Sequence, residues 1–343
     1  MTEKLKHWLT AAFLLMVVSL LFWFKLSQPR VLVIQSYDAD YGWTREVDAG
    51  LRRVLNGRLQ FKVQWHYMDL RKHPGAEFGR KAGTLAVREI ERFRPDVIIA
   101  IDDGAQKYAV KQYAGRPGVS IVFGGVNGSV EPYGYPQAPN VTGIYERKPL
   151  INLRRTLDAM RDAEGKPLGR RMVHLGDRSD NVAVDAKDIE GADWSPFRLV
   201  ASKRLRSFDE WKQAVEEASA QADFIILTNY QYLLRKDGEK DLVPSADVVA
   251  WTESNSRVPV IGTNNFMVED GGMLAVGTSG FEQGEACARM ALRILEEGTP
   301  PAEIPYAKPR QFLVYMRQGL MEKRGLKLPD VYEAFSRALN NYR

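Results

Sequence analysis

Two adjacent carboxylates, Asp102 and Asp103, are the residues whose type and spacing best suit chemistry. They follow the apolar run Val97–Ile101 and precede Gly104. Paired carboxylates can exchange a proton as an acid and a base. They can also bind a ligand ammonium group, or cap the following helix through its backbone N–H groups. The sequence leaves these three interpretations open.

A short aromatic loop lies near the start of the chain, between an apolar run at 31–34 and a helical pattern at 47–55. It contains Ser36, Tyr37 and Trp43, together with further acidic and tyrosine side chains. Aromatic rings offer a stacking surface and are costly to leave in water. We therefore expect this loop to contact a ligand that has a planar group.

Further candidate ligand contacts follow other predicted strands. Two of them, Gly125 and Asn127, lie in the 124–128 segment. The others are polar or aromatic residues that follow later strands: Asp177, Asn229, Tyr230 and Asn264. Glycine permits close approach of the backbone to a ligand. In open α/β sheets ligands bind at the carboxyl ends of the strands, so these positions are predicted binding residues.

Buried apolar runs alternate with amphipathic helical patterns along the whole chain. This pattern predicts an α/β protein with two Rossmann-like lobes, each with a parallel sheet, joined by a multi-crossover hinge. The predicted domains are an N-terminal segment, 1–29, a first lobe, 30–145 plus 273–300, and a second lobe, 146–272 plus 301–343. Clefts between lobes are preferred ligand sites, and hinge closure is their usual motion.

Composition excludes several functions. The net charge of +5 is spread over 343 residues, and no basic block forms a nucleic-acid footprint. Cys287 is the single cysteine and is predicted to be a buried thiol, and the four histidines lack metal-ligand spacing. Neither a dinucleotide fingerprint nor a Walker-type loop is present. We therefore predict no catalytic residue, no metal and no cofactor; an enzyme using Asp102 and Asp103 is the weaker alternative.

The first thirty residues predict a membrane segment. Lys4 and Lys6 precede an unbroken apolar stretch at 8–24, which Lys25 ends. Its length suits a short membrane-spanning helix, and no small-residue cleavage site follows. We predict an uncleaved signal anchor, with a cleaved signal peptide as the alternative. The chain from residue 28 onward would then be periplasmic or otherwise extracytoplasmic, tethered to the cytoplasmic membrane.

Several short motifs, in order along residues 30–335, carry a resemblance to a known family. The first motif is 31–37 with Trp43 and Gly50, and the second is 140–144. The third is 272–276 with Gly284, Ala288 and 293–295, and the fourth is 301–305 with Gly325 and Pro329. On these motifs the chain resembles the ABC-transporter substrate-binding protein family, of the periplasmic binding protein type I-like group that includes tryptophan/tyrosine-type binders.

The resemblance implies a two-lobed fold, no catalysis, and a small ligand bound for an ABC permease. Members that bind amino acids hold the charged ends of the ligand with groups that match Ser36, Asp102, Asp103, Asn127 and Asn264. We therefore expect a membrane-anchored solute-binding protein that captures an amino-acid-like or aromatic ligand in an interlobe cleft for an ABC importer.

The chain departs from the family pattern at two places. Residues 277–280 lack the frequent aromatic side chain, and the N-terminal segment looks like a retained anchor. The opening loop also resembles the version of this domain that is fused to sensor kinases. The alternative is therefore a ligand-sensing subunit that uses the same binding fold and partners a sensor kinase or cyclase.

Overall fold

The computed structural model describes residues 3–73 and 75–343. Within them the first sheet has the order β2-β1-β3-β4-β5. Strand β1 pairs in parallel with β2 and β3, and β3 pairs in parallel with β4. The strands are β1 (Arg30–Gln35), β2 (Lys62–Tyr67), β3 (Val97–Ile101), β4 (Ser120–Val126) and β5 (Val141–Tyr145).

The second sheet has the order β11-β10-β9-β8-β6-β7. Its neighbours pair in parallel except for β10 and β11, which are antiparallel. The strands are β6 (Arg171–Asp177), β7 (Arg198–Leu205), β8 (Phe224–Leu227), β9 (Val260–Gly262), β10 (Leu274–Thr278) and β11 (Phe312–Met316).

Twelve α-helices lie in the described part of the chain. They are α1 (Glu3–Ser27), α2 (Gly42–Leu55), α3 (Ala76–Phe93), α4 (Asp102–Tyr108), α5 (Leu150–Ala159), α6 (Asp180–Gly191), α7 (Phe208–Gln221), α8 (Ser245–Asn255), α9 (Phe266–Glu269), α10 (Gly280–Glu296), α11 (Gln318–Lys323) and α12 (Asp330–Ala338).

Central strands of both sheets are buried on both faces. Every residue of β3 is fully buried, as are residues 31–34 of β1. In the second sheet, alternate residues of β8 enter two separate cores: Phe224 and Ile226 join one, and Ile225 and Leu227 join the other. Parallel strands need cover on both faces, which explains their continuous apolar runs. The predicted α/β class with two parallel-dominated sheets is confirmed.

The chain divides into two compact units. Unit 1 comprises the chain through Gly124, then 130–143 and 284–306; unit 2 comprises 125–129, 144–283 and 307–343. The boundaries predicted from the sequence differ from these units at several places. Strand β10 belongs to the second sheet because its backbone pairs with β9 and β11. Residues 301–306 belong to unit 1, and 125–129 to unit 2.

Helix α10 packs closely on α2 within unit 1. A Cβ atom at Gly284 would overlap the carbonyl oxygen of Val47, so only glycine allows this approach. The neighbouring Cys287 is fully buried, which confirms the predicted buried thiol. Burial raises the pKa of that thiol above its ordinary range, so it stays protonated.

Helix α1 differs from the other helices in its surface. Residues Lys6–Lys25 are long and apolar enough to cross a membrane by length and composition. Large apolar side chains such as Trp8, Leu15 and Trp23 are exposed along it. A helix that is apolar on all sides needs a cover that water does not provide.

Candidate functional site

The predicted acid pair lies in unit 1 at the ends of β1 and β3, and each carboxylate binds an aromatic side chain. The indole N–H of Trp43 donates to Asp102 Oδ1 at 2.9 Å. The hydroxyl of Tyr133 donates to Asp103 Oδ1 at 2.7 Å. Asp102 also has a φ of 65°, in the left-handed region that non-glycine residues rarely adopt. Such strain is concentrated at functional sites, so this strand end is a candidate ligand contact.

Ser36 has a structural role in the same strand end. Its hydroxyl donates to the Ile101 carbonyl at 2.6 Å and accepts the Ala105 N–H at 2.7 Å. The residue is fully buried, so it fastens the end of β1 to the start of α4. Its predicted ligand contact stays a prediction. Tyr37 is partly buried and packs edge-on against Tyr41, with ring centroids 5.5 Å apart.

Replacing Trp43 with phenylalanine should lower the free energy of unfolding by about 1–3 kcal/mol, because buried Asp102 loses a hydrogen-bond donor. Urea denaturation of the variant measures this loss. Trp251→Phe, on α8, is the matched control, since its ring packs against Phe208 in unit 2. Equal losses in the two variants would show that the bond to Asp102 contributes nothing.

A second polar group lies in unit 2, where four side chains form what we call the Lys148 cluster: Glu146, Lys148, Asp185 and Asn264. Lys148 Nζ donates to Glu146 Oε1 at 2.8 Å and to Asn264 Oδ1 at 2.7 Å. It lies 3.9 Å from Asp185 Oδ2. The charged side chains are only 5–10% exposed. The cluster brings together the segments after β5 and β9 and the middle of α6.

Asn127 joins this cluster through Glu146, because its Nδ2 donates to Glu146 Oε2 at 3.3 Å. Arg147 fixes the segment that carries Asn127. Its guanidinium donates to the carbonyls of Val126, at 3.1 Å, and Asn127, at 2.5 Å. It also lies over the ring of Tyr145, 4.4 Å from its centroid. Asn127 thus belongs to unit 2, although the sequence placed it in the first lobe.

Gly125 supports the same region from the backbone. It has a φ of 67°, which favours glycine, and its N–H donates to Gln283 Oε1 at 3.0 Å. The amide of buried Gln283 also donates to the Tyr145 carbonyl at 3.0 Å. One side chain therefore bridges the last residues of β4 and β5, which positions Asn127 and Glu146 just beyond these strands.

Burial changes the acidity of one carboxyl group in the Lys148 cluster. Burial raises the pKa of Asp185 to about 6, which nearby Lys148 opposes and Glu146 reinforces. One ammonium group and two carboxylates therefore share a site of low exposure. Such a set can exchange its internal partners for the carboxylate and ammonium groups of a zwitterionic ligand.

Asp177 and Asn229 organise loops in unit 2. The Asp177 carboxylate accepts the N–H of Ser179 at 2.9 Å and the N–H of Tyr232 at 3.1 Å. Burial raises its pKa, and these hydrogen bonds act in the opposite direction. Asn229 Oδ1 accepts the Gln231 N–H at 3.0 Å. The hydrogen bonds of both side chains to nearby backbone N–H groups are typical of turns. The predicted ligand contacts of Asp177 and Asn229 stay predictions.

Tyr230 lies in the core of unit 2, and its predicted ligand contact stays a prediction. It is fully buried and packs edge-on against Trp211 and Phe266. Its hydroxyl donates to Asp270 Oδ2 at 2.7 Å. A buried tyrosine needs such a partner for its hydroxyl, and no local sequence pattern pointed to Asp270 as that partner.

Sequence reasoning missed Glu146, Lys148 and Asp185. A usable signal for the first two was present, because they directly follow β5, as the predicted site residues follow their strands. Asp185 carried no such signal. It lies within α6, and its approach to Lys148 depends on the packing of that helix.

Comparison with known proteins agrees with this fold. Residues 238–336 match the family model described as ABC transporter substrate binding protein. Among solved structures, the chain is similar to the ABC domain in complex with L-Trp from Streptococcus pneumonia. That pair has 14% identity and a TM-score of 0.63, and the match covers 89% of this chain and 98% of that chain.

Two further structures show the same likeness. A substrate binding protein with adhesive properties from Clostridium difficile, in its ligand-free, open form, has 15% identity and a TM-score of 0.64 over 88% of this chain and 96% of that one. An arabinose binding protein from Geobacillus stearothermophilus has 12% identity and a TM-score of 0.56 over 86% and 99%. Comparison with curated proteins gave no match. The resemblance to ABC substrate-binding proteins and their two-lobed fold is confirmed.

Proposed function

We propose, from the match to ABC transporter substrate-binding proteins and their fold, that this protein captures a small amino-acid-like ligand for an ABC importer. The observation that carries the proposal is the Lys148 cluster, which gathers opposite charges of low exposure. Ligand-binding proteins of this kind need few, precisely placed polar groups. No chemical conversion of the ligand is part of the proposal.

The chemistry of the ligand follows from the two polar groups. Lys148 and the amide of Asn264 suit a carboxylate, whereas Glu146 and Asp185 suit an ammonium group. The aromatic loop with Trp43 suits a planar side chain. The Streptococcus pneumonia domain was solved with L-Trp, which supports testing aromatic amino acids first.

We further propose that α1 is a retained anchor in the cytoplasmic membrane. Its apolar span of 20 residues, Lys6–Lys25, and its exposed large side chains support this. The remainder of the chain would then lie on the extracytoplasmic side. Mass spectrometry of the membrane-associated protein would contradict retention if the mature chain began after residue 25.

A thermal-shift screen of the full chain in non-ionic detergent, against amino acids, purines, sugars and small acids, tests the function. A ligand at a hundred times its dissociation constant should stabilise the folded state by about 2.7 kcal/mol. We expect one class, amino acids, to do so and to be recovered chemically unchanged. A flat screen, or turnover of the ligand, would contradict the proposal.

Two variants locate the bound ligand. Asn264→Ala and Trp43→Ala should each weaken binding, the latter by about 0.5–1.5 kcal/mol beyond the loss of buried area if its ring stacks on the ligand. Asn255→Ala is the matched amide control, because Asn255 is exposed at the end of α8 and its side-chain amide donates to the Trp251 carbonyl of the same helix. Unchanged affinity in both site variants would place the ligand elsewhere.

A ligand-sensing subunit is the second candidate, and one observation favours it. Only Gln28 and Pro29 separate α1 from β1, and the Lys62 N–H donates to the Pro29 carbonyl at 2.9 Å. A short, hydrogen-bonded connection can pass a movement of unit 1 to α1. Crosslinking in native membranes would distinguish the candidates: a permease partner supports import, and a kinase or cyclase partner supports sensing.

A further inference from the structure

The start of β1 is held close to the end of α1. Gln28 is buried, and its side-chain amide donates to the Leu59 carbonyl. Consecutive Cα atoms are about 3.8 Å apart, so Ser27 lies within about 11 Å of Arg30. With α1 in a bilayer, as proposed above, the edge of the first sheet at which β1 begins lies at the membrane surface.

An open pocket of about 300 Å³ lies at this edge of unit 1. Parallel strands begin at the same edge of a sheet, so the segments before β3 and β4 lie there with the start of β1. These two segments supply Arg94 with Pro95 and Arg116 with Pro117. The pocket also has apolar lining residues, Ile90 and Val119, and two polar ones, Glu91 and Tyr113.

Arg94 and Arg116 are placed to bind an anion. Arg94 ends α3 with a φ of 50°, at a position that glycine usually occupies. The Arg116 guanidinium lies over the ring of Tyr113, 4.8 Å from its centroid, which restrains it. Within the described residues, neither arginine has an acidic partner at ion-pair distance. Both side chains are exposed at the pocket, so each can pair with a group from outside the protein.

We propose that this pocket binds the phosphate of an anionic phospholipid headgroup and thereby docks unit 1 on the membrane. Arginine presents a planar set of donors that matches phosphate oxygens. The prolines and aliphatic residues beside them suit the glycerol backbone of a lipid. Glu91 opposes the negative phosphate, so its carboxylate weakens the binding and keeps it reversible.

Native mass spectrometry of the full chain in non-ionic detergent tests the proposal. Dioleoyl phosphatidylglycerol is titrated against dioleoyl phosphatidylcholine, and the retained lipid is counted. We expect one phosphatidylglycerol to be retained in preference. Arg94→Gln with Arg116→Gln should lower that affinity about 25-fold, since each basic residue at an anionic surface contributes a factor of about five. Glu91→Gln should raise it.

The matched control is Arg80→Gln with Arg88→Gln, which removes the same charge from exposed positions of α3 outside the pocket. Retention should be unchanged in this control. Arg94→Gly excludes unfolding as the cause, because glycine adopts the positive φ without strain and should keep or raise the melting temperature while lipid binding falls. Equal retention in the two double variants would overturn the proposal.

Two further measurements distinguish the possible reasons for a negative result. Inorganic phosphate that competes as well as the lipid would show a free-phosphate site and overturn the lipid assignment. Flotation of the wild-type chain with phosphatidylcholine vesicles reports anchoring by α1 alone. Flotation without preferential phosphatidylglycerol retention would reject the pocket and leave the anchor standing, whereas absence of flotation would reject the anchor itself.

Discussion

Replacing Lys148 with methionine should lower the free energy of unfolding by about 3–5 kcal/mol at pH 8, since removing one partner of a buried ion pair leaves uncompensated charge. The Lys148 side chain is 5% exposed, and it lies between the carboxylates of Glu146 and Asp185. Urea denaturation at fixed pH measures the loss. The same variant should abolish ligand binding, because it removes the cation of the cluster.

The loss should be smaller at pH 5 than at pH 8. The pKa of Asp185 in the folded protein is about 6, above its ordinary value of 3.8, so the folded state binds this proton more tightly than the unfolded chain. The cost of burying the ionised carboxylate is therefore full above pH 6 and falls as the pH drops below it. Without Lys148 that cost increases, and protonation removes more of it.

Lys187→Met is the control for this prediction, because Lys187 is exposed on the same helix as Asp185. It should change stability by no more than about 0.5 kcal/mol. Adding Asp185→Asn to Lys148→Met should recover part of the lost stability. An equal loss at the two pH values, without recovery in the double variant, would show that buried charge is not the cause.

Replacing Arg324 with methionine should also lower the free energy of unfolding by about 3–5 kcal/mol, because the buried carboxylate of Glu253 loses its charged partner. Arg324, at the end of α11, donates to Glu253 Oε2 at 2.9 Å. It also donates to three carbonyls, those of Glu253, Ser256 and Val258, at 2.8–3.3 Å. The pair joins α8 to α11 inside the segment that matches the ABC substrate-binding family.

Two variants check the cause of this loss by urea denaturation. Arg324→Lys should recover only part of the stability, because one ammonium group cannot reach the carboxylate and all three carbonyls. Arg337→Met breaks an exposed pair with Glu333 and should cost only about 0–1 kcal/mol. A loss at Arg324 no larger than that at Arg337 would contradict the prediction.

The alternation of strands and helices could be predicted because its signal is local. Val97–Ile101 is a continuous apolar run, and it forms a fully buried strand. The sheet to which a strand belongs is not a local property. Residues 274–278 form a similar run, and the sequence assigned them to the first lobe, but their backbone pairs with β9 and β11. Partner choice depends on tertiary packing, which a run of apolar residues does not encode.

The candidate site, too, could be predicted only where the signal is local in sequence. The strand-end rule placed Asp102 near the aromatic loop, and Trp43 does contact it. The rule cannot tell a side chain that reaches the solvent from one that enters the core, so it selected Tyr230, which is fully buried. It also gave no reason to select Asp185, which contacts Lys148 only because α6 packs beside the segment after β5.

The interleaved composition of the two units constrains how the chain can fold as it is made. All five strands of the first sheet are complete by residue 145, but α10, which covers α2 where Gly284 meets Val47, comes only after β6 to β10. Chains usually fold domain by domain from the N-terminus. Here the first unit cannot complete its packing, and keeps apolar surface uncovered, until most of the second unit has been synthesised. A chain that stops before residue 284 therefore leaves both units unfinished, and a late truncation damages the earliest part of the protein.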